Sequence, residues 1–140
     1  MAQTYDICIR GAGIVGRTLA LLLARERLRV ALVAVPPPEG AAPDVRAYAL
    51  NAASRQLLEG GRACPDPAPA TAVTRMQVHG DQGAQLHFDA TELGVEALTW
   101  IVDVLALETR LAEAVRYQPQ VELVSEAQPA ALTVVCEGRA

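Results

Sequence analysis

Gly11, Gly13 and Gly16 stand in the spacing G-x-G-x-x-G, within the run Gly11-Ala12-Gly13-Ile14-Val15-Gly16. Glycines so spaced suit one task, holding a pyrophosphate against bare backbone. The first permits a tight turn, the second lets main chain approach the phosphates, and the third lets a helix pack closely on a strand. The N–H groups that open such a helix lack intrahelical partners and carry the positive end of its dipole. Three glycines arise easily by chance, so their flanks decide. Asp6-Ile7-Cys8-Ile9 before the turn is a short apolar run, Thr18 to Ala24 after it is apolar over a helical length, and Leu28-Arg29-Val30-Ala31-Leu32-Val33 reads as a second strand. Strand, turn, helix and strand within about thirty residues is the context a dinucleotide site requires. The competing reading is a tight turn with no ligand.

Other residues able to do chemistry are fewer. A dinucleotide site expects an acidic residue at the end of the second strand, roughly 20 residues past the glycines, to accept hydrogen bonds from a ribose. Ala34 stands there. Glu39 lies beyond the stiff Pro36-Pro37-Pro38 and reaches back only if that loop folds over the site. No arginine follows Val33 directly, so a 2′-phosphate has no evident partner on that strand. Arg10 and Arg17 flank the glycine turn where apolar residues are usual. In the first helical turn a cation opposes the dipole by about 0.3–1 kcal/mol, so these arginines either attract phosphate or reflect surface drift. His79 and His87 have no third metal ligand placed beside them and read as solvated. Cys8, Cys64 and Cys136 show neither C-x-x-C nor zinc spacing and are expected to be buried structural thiols.

The elements that position these residues follow from composition and punctuation. Of 140 residues, 51% are hydrophobic but only 4% aromatic, which points to an α/β core of Ala, Val and Leu. A net charge of −4, with twelve scattered arginines and no lysine, leaves no electrostatic footprint for nucleic acid. The longest apolar run, Leu19 to Ala24, is far short of the ~20 residues of a membrane span. Tyr5 already opens the first strand, so no signal peptide is expected and a cytoplasmic protein is. Glu39 to Val45 reads as loop, Arg46-Ala47-Tyr48-Ala49-Leu50 follows, and Asn51 caps a helix through Leu57 and Leu58 that Gly60-Gly61 stops. Gly60 to Ala72, with Pro65, Pro67 and Pro69, reads as a further loop. Met76, Val78, Leu86 and Phe88 alternate with polar residues about Gly80-Asp81-Gln82-Gly83, a β-hairpin pattern. Trp100-Ile101-Val102 is a short strand, and Asp103 caps a helix to about Tyr117 with Leu107, Leu111 and Val115 on one stripe. Val121 to Val124 and Leu132 to Cys136 are the last two strands, joined by a short loop containing Pro129. The expectation is one Rossmann-like α/β domain over residues 1–140, with parallel strands, helices and a hairpin insertion, and no second domain.

Several of these stretches together resemble the FAD-dependent aromatic hydroxylases, the ubiquinone-biosynthesis branch of the class A flavin monooxygenases. They are Asp6 to Gly16, Asp44-Val45-Arg46-Ala47-Tyr48-Ala49-Leu50-Asn51, the hairpin Met76 to Asp89, and Trp100-Ile101-Val102-Asp103 with its helix. Val135-Cys136-Glu137-Gly138-Arg139-Ala140 looks like the family's second cofactor motif, with Glu137 where Asp is usual. The resemblance implies enzymes that reduce bound FAD with NAD(P)H, react it with oxygen and insert one oxygen atom into an aromatic ring. It implies cofactor contacts from Gly11, Ala12, Gly13, Ile14, Val15 and Gly16 at the pyrophosphate, from Arg46 near the flavin, and from Glu137-Gly138 near the phosphates. It places no catalytic residue and no metal ligand in this chain.

The departures from the family are as specific. The chain reaches only the second motif, Ala34 replaces the ribose acid, and Arg27 occupies the usual glycine after the first helix. Only Ser125 to Ala131 joins strands that the family separates by a longer excursion. An incomplete cofactor domain is therefore expected, the N-terminal part of such a hydroxylase as a truncated product or a degenerate copy, inactive alone. Two alternatives stand beside it: a stand-alone module binding FAD or NAD, and an interaction protein whose open sheet edge pairs with a second copy or with the missing C-terminal part.

Overall fold

The computed structural model describes residues 4–60 and 70–138. The apolar run before the glycines forms strand β1 (Tyr5–Arg10), the apolar stretch after them helix α1 (Ile14–Arg25), and the next run strand β2 (Val30–Val33). Then come β3 (Ala47–Leu50), α2 (Ala52–Gly60), β4 (Ala70–Val73), a hairpin of β5 (Arg75–His79) and β6 (Gln85–Asp89), β7 (Thr99–Asp103), α3 (Val104–Arg116), β8 (Val121–Val124) and β9 (Ala130–Val135). Four parallel strands in the order β8-β2-β1-β9 make the main sheet. This is the Rossmann-like arrangement expected from the glycine context, with its hairpin.

Burial explains why β1 and β2 carry continuous apolar runs. Strands covered on both faces do not alternate, and Cys8, Ile9, Val30, Ala31 and Leu32 are all fully buried. On one face Ile7, Ile9, Val30 and Leu32 pack with Ala20 and Leu21 of α1 and with Leu107, Leu111 and Val115 of α3. The stripe expected on α3 is therefore its core face. Tyr5, Cys8 and Ala31 form a smaller cluster on the other face, where the Tyr5 hydroxyl donates to Glu122 Oε2 at 2.5 Å. That carboxylate raises the Tyr5 pKa above its usual value by accepting a hydrogen bond from the protonated phenol. Asp103 caps α3 by accepting from the Ala106 N–H at 2.8 Å, and Asn51 does the same for α2 through the Ser54 N–H at 2.8 Å.

Three features correct or extend the sequence expectation. Ala70 to Ala72, read as loop, lie in β4, which pairs antiparallel with β7 (Ala70 with Val102, Ala72 with Trp100). Ala47–Leu50 pairs on the other side of β7, giving a three-stranded sheet β3-β7-β4. Neither segment has a strong apolar alternation; backbone pairing to β7 makes them strands. The last two strands, joined by a short loop, lie at opposite edges of the main sheet. Residues 125–129 must therefore cross β2 and β1. Three strand spacings are about 14 Å, and the parallel register puts Val124 level with Arg10 but Ala130 level with Tyr5, about 16 Å back along the strands; six peptide steps reach at most about 22 Å, so this short link crosses nearly extended. Cys64 and the prolines 65, 67 and 69 lie outside the described residues. On the hairpin, Met76 faces Phe88 and Val78 faces Leu86, and all four are exposed.

Helix α1 ends in a Schellman arrangement: the Arg27 N–H donates to the Ala24 carbonyl at 2.9 Å and the Leu28 N–H to the Leu23 carbonyl at 3.3 Å. Arg27, at φ 61°, is the residue in the left-handed region. A side chain there costs roughly 1–2 kcal/mol, partly offset by the lower entropy of a non-glycine unfolded chain. Arg27→Gly is expected to raise stability by about 0.5–1 kcal/mol, read as a higher urea midpoint at unchanged m-value.

Candidate functional site

The turn that joins β1 to α1 is held by its own backbone. Gly11 has φ 110°, and a Cβ on it would overlap the carbonyl oxygen of Cys136. A Cβ on Gly16 would overlap the carbonyl oxygen of Gly11. Gly13 differs, because a Cβ there would meet nothing within 4 Å. Two glycines are thus required by the fold itself, and the middle one borders open space. The Cys136 N–H donates to the Arg10 carbonyl at 2.7 Å and the Gly11 N–H to the Val33 carbonyl at 3.3 Å, tying the turn to both neighbouring strands.

Gly13 is the N-cap of α1 and supplies no side-chain hydrogen bond. The first intrahelical bond runs from the Arg17 N–H to the Gly13 carbonyl at 3.0 Å. The N–H groups of Ile14, Val15 and Gly16 therefore open the helix without intrahelical acceptors. No acidic residue occupies this first turn to compensate the dipole. Anions gain most at such an end.

Two hollows share this turn. A cleft of ≈ 680 Å³ runs from Gly11–Val15 to Arg46, Tyr48 and Glu108, with Cys136, Glu137 and Gly138 completing its lining. A groove of ≈ 330 Å³ is lined by Gly11–Gly13 and Glu137 together with Arg17, Val33, Ala34 and Val35. Every residue expected at the cofactor, namely Gly11, Ala12, Gly13, Ile14, Val15, Arg46, Glu137 and Gly138, lines the cleft, except Gly16, which is buried behind the turn. Glu39 is exposed and is not among the residues lining either hollow. Cys136, expected to be buried like Cys8, is only half-buried, because its strand is an edge and its backbone faces the turn. His79 and His87 share one face of the hairpin, away from both hollows, and no group of three metal-binding side chains occurs among the described residues.

The charges are organised in pairs. Arg46 grips Asp44 with Nη2–Oδ2 at 2.6 Å and Nε–Oδ1 at 2.9 Å, and its guanidinium lies 5.6 Å from the centre of the Tyr48 ring. This pairing lowers the Asp44 pKa to about 2 and raises that of Arg46. The Arg46 carbonyl accepts the N–H of Val104 at 3.0 Å, which fixes this loop to the start of α3. Arg10 pairs with Glu137 at 2.9 Å across β1 and β9. Tyr48, Glu108 and this ion pair escape sequence reasoning, since nothing local joins residues so distant in the chain. The signal that was available is the double departure, an arginine and a glutamate each in an unusual place.

No family model matches the chain. Over 128 aligned residues it is 34% identical to the 3-demethoxyubiquinol 3-hydroxylase of Escherichia coli (strain K12), covering 86% of this chain and 32% of that protein. The fold is shared with p-nitrophenol 4-monooxygenase PnpA of Pseudomonas putida DLL-E4, at TM-score 0.64, 20% identity and coverage of 89% and 32% of the two chains. It is shared as well with PqsL of Pseudomonas aeruginosa, described as a probable FAD-dependent monooxygenase, at TM-score 0.63, 22% identity and coverage of 87% and 33%. The chain spans about a third of the length of these proteins.

Two outcomes are expected of this geometry. Gly16→Ala, which forces a methyl against backbone, is expected to cost at least about 3 kcal/mol, whereas Gly13→Ala should leave the thermal unfolding curve nearly unchanged. For Asp44 the folded pKa lies below the ordinary value of 3.8, so its contribution is full above that value and is lost as pH falls through about 2. A carbon-detected NMR titration is expected to place the Asp44 midpoint near 2, and in Arg46→Ala to return it toward 3.8.

Proposed function

Since the chain is kin to the FAD-dependent aromatic hydroxylases of the ubiquinone-biosynthesis branch, similar over 86% of its residues, we propose that it is the FAD-binding portion of such a monooxygenase, acting on an aromatic, ubiquinone-precursor-like substrate. The observation that carries this reading is the glycine turn. Gly11 and Gly16 are demanded by packing, and Gly13 leaves open space in front of uncompensated helix N–H groups. A pyrophosphate fits that space and that charge. In this reading Gly11 to Gly16 hold the phosphates, Arg46 lies toward the flavin, and Glu137-Gly138 borders the phosphates with its carboxylate balanced by Arg10.

The bound flavin supplies the redox and oxygen-transfer chemistry, with NAD(P)H as the electron source. The chain's own share is binding and orientation. Arg46, clamped by Asp44 and held through its carbonyl to α3, sets a guanidinium whose charge that carboxylate balances across the cleft from the turn. Hydroxylation further needs water excluded from the flavin, and the Arg46 side chain is 65% exposed. This chain by itself is therefore proposed to bind flavin without hydroxylating. Ala34, which removes the ribose carboxylate, favours a second reading: a stand-alone or degenerate module that binds FAD or NAD and acts by binding.

A flavin fluorescence titration of the purified chain, with NAD as control, separates the two. FAD is expected to saturate at micromolar concentration with no response to NAD. Gly13→Asp should keep or improve folding, because Asp is a better N-cap than most residues, yet weaken FAD by more than about tenfold through repulsion of the phosphates. Saturation by NAD alone would favour the second reading, and binding of neither would sink both.

A further inference from the structure

The two open edges of the main sheet are not alike. The strand order ends in β8 on one side and β9 on the other. An edge strand presents unpaired backbone donors and acceptors, which folded proteins guard with charge, proline, a bulge or shortness. β8 has such guards: it is four residues long and Glu122 stands within it. β9 is six residues, Ala130-Ala131-Leu132-Thr133-Val134-Val135, with no charge, proline or glycine. Its last three residues are β-branched, the side chains that suit a pleated, half-covered surface. Leu132 is 57% exposed and Val135 61%, one on each face of the strand.

Alternation along the strand fixes which backbone groups are unpaired. The Cys136 N–H, one residue beyond β9, donates to the Arg10 carbonyl on β1. Leu132 and Val134, of the same parity, therefore turn their amides and carbonyls to β1. Those of Ala131, Thr133 and Val135 face outward, and no described strand pairs with them.

A strand added here must match that parity and bring no charge against Leu132 or Val135. The exposed, uncharged strand of matching length that every solution of this protein contains is β9 of another copy. In an antiparallel ladder the hydrogen-bonded pairs recur at every second residue. A two-fold axis at Thr133 pairs Thr133 with Thr133 and Ala131 with Val135 in both directions, about six hydrogen bonds in all. Leu132 shares the α1 face with Ile7, its register partner, and there meets Val134 of the second copy. Val135 meets Ala131 of the second copy on the other face, so both exposed side chains are covered. Threonine and β-branched pairs across such a ladder are favourable. The net charge of −4 on each chain stays off the joint. Pro129, which has no N–H to donate, falls opposite Glu137 and ends the ladder short of the cleft wall.

We infer that β9 is a self-association edge, through which two copies of this chain join antiparallel along Ala130–Val135, with Thr133 on the two-fold axis, merging their four-stranded sheets into one. The joint lies outside the glycine turn and does not depend on what binds there.

Sedimentation equilibrium of the full chain across about 1–200 μM tests it. Expected is a monomer that converts reversibly to a dimer as concentration rises. Thr133→Pro should stay folded, because the N–H it removes faces outward and proline is tolerated at such an edge position, yet weaken self-association by at least about tenfold. Thr133→Lys and Thr133→Glu each set like charges face to face on the axis. Each should be monomeric alone, and the two should form a mixed dimer when combined in equal amounts. Far-UV circular dichroism and urea midpoints matching the unmodified chain are expected for all three variants. A chain that stays monomeric across the range, assembly that continues past the dimer, a dimer indifferent to Thr133→Pro, or a mixture of the two charged variants that does not associate would overturn the inference.

Discussion

The closeness of Gly16 to the Gly11 carbonyl is the constraint on which the rest of the structure depends. It sets α1 hard against the end of β1, closer than any side chain allows. From that contact the apolar face of α1 falls on Ile7, Ile9 and Leu32, and α3 packs beside it. The Cys136 carbonyl fills the space that a side chain on Gly11 would need, so β9 is locked to the same turn. One backbone crossing thus fixes both the core and the position of the open helix terminus. A fold built this way does not need a ligand to explain Gly11 and Gly16. The proposed cofactor accounts for what packing leaves unexplained, the bare Gly13 and a first turn of α1 without an acidic side chain.

Charge around the turn shows a consistent pattern. Two carboxylates here, Glu137 and Asp44, are each met by an arginine within hydrogen-bonding distance. Both pairs reach solvent, Asp44 the least of their four members, and contribute little to stability. Their effect is local: each removes a negative charge from the surroundings of the helix terminus, and the Asp44 pair also pins a loop to α3. Arg17 then stands as the one guanidinium of this neighbourhood without a protein partner among the described residues.

Much of this was legible along the chain. Tyr5 to Val33 obeys local rules throughout, with apolar runs of the right length broken by glycines of the right spacing, and the α3 stripe and its Asp103 cap are equally local. Pairing across long separations was not legible. Ala47–Leu50 and Ala70–Val73 become strands because both find β7, and nothing in Ala-Thr-Ala-Val announces it. The order β8-β2-β1-β9 could not be read from two strands adjacent in sequence. Arg10 has no evident role in the sequence until β9 brings Glu137 beside it. The left-handed Arg27 was visible as an arginine standing where glycine is usual, but its φ is set by the helix end it terminates.

The central claim, that the open helix terminus at Gly13 holds the cofactor's phosphates, is tested most directly by amide chemical shifts. In a ¹⁵N spectrum recorded through an FAD titration, the account predicts that the Gly13, Ile14, Val15 and Gly16 amides move most and saturate together, with Arg46 and Glu137 following. Saturable binding whose largest shifts fall on the hairpin Arg75–Asp89, leaving the glycine amides unmoved, would contradict it.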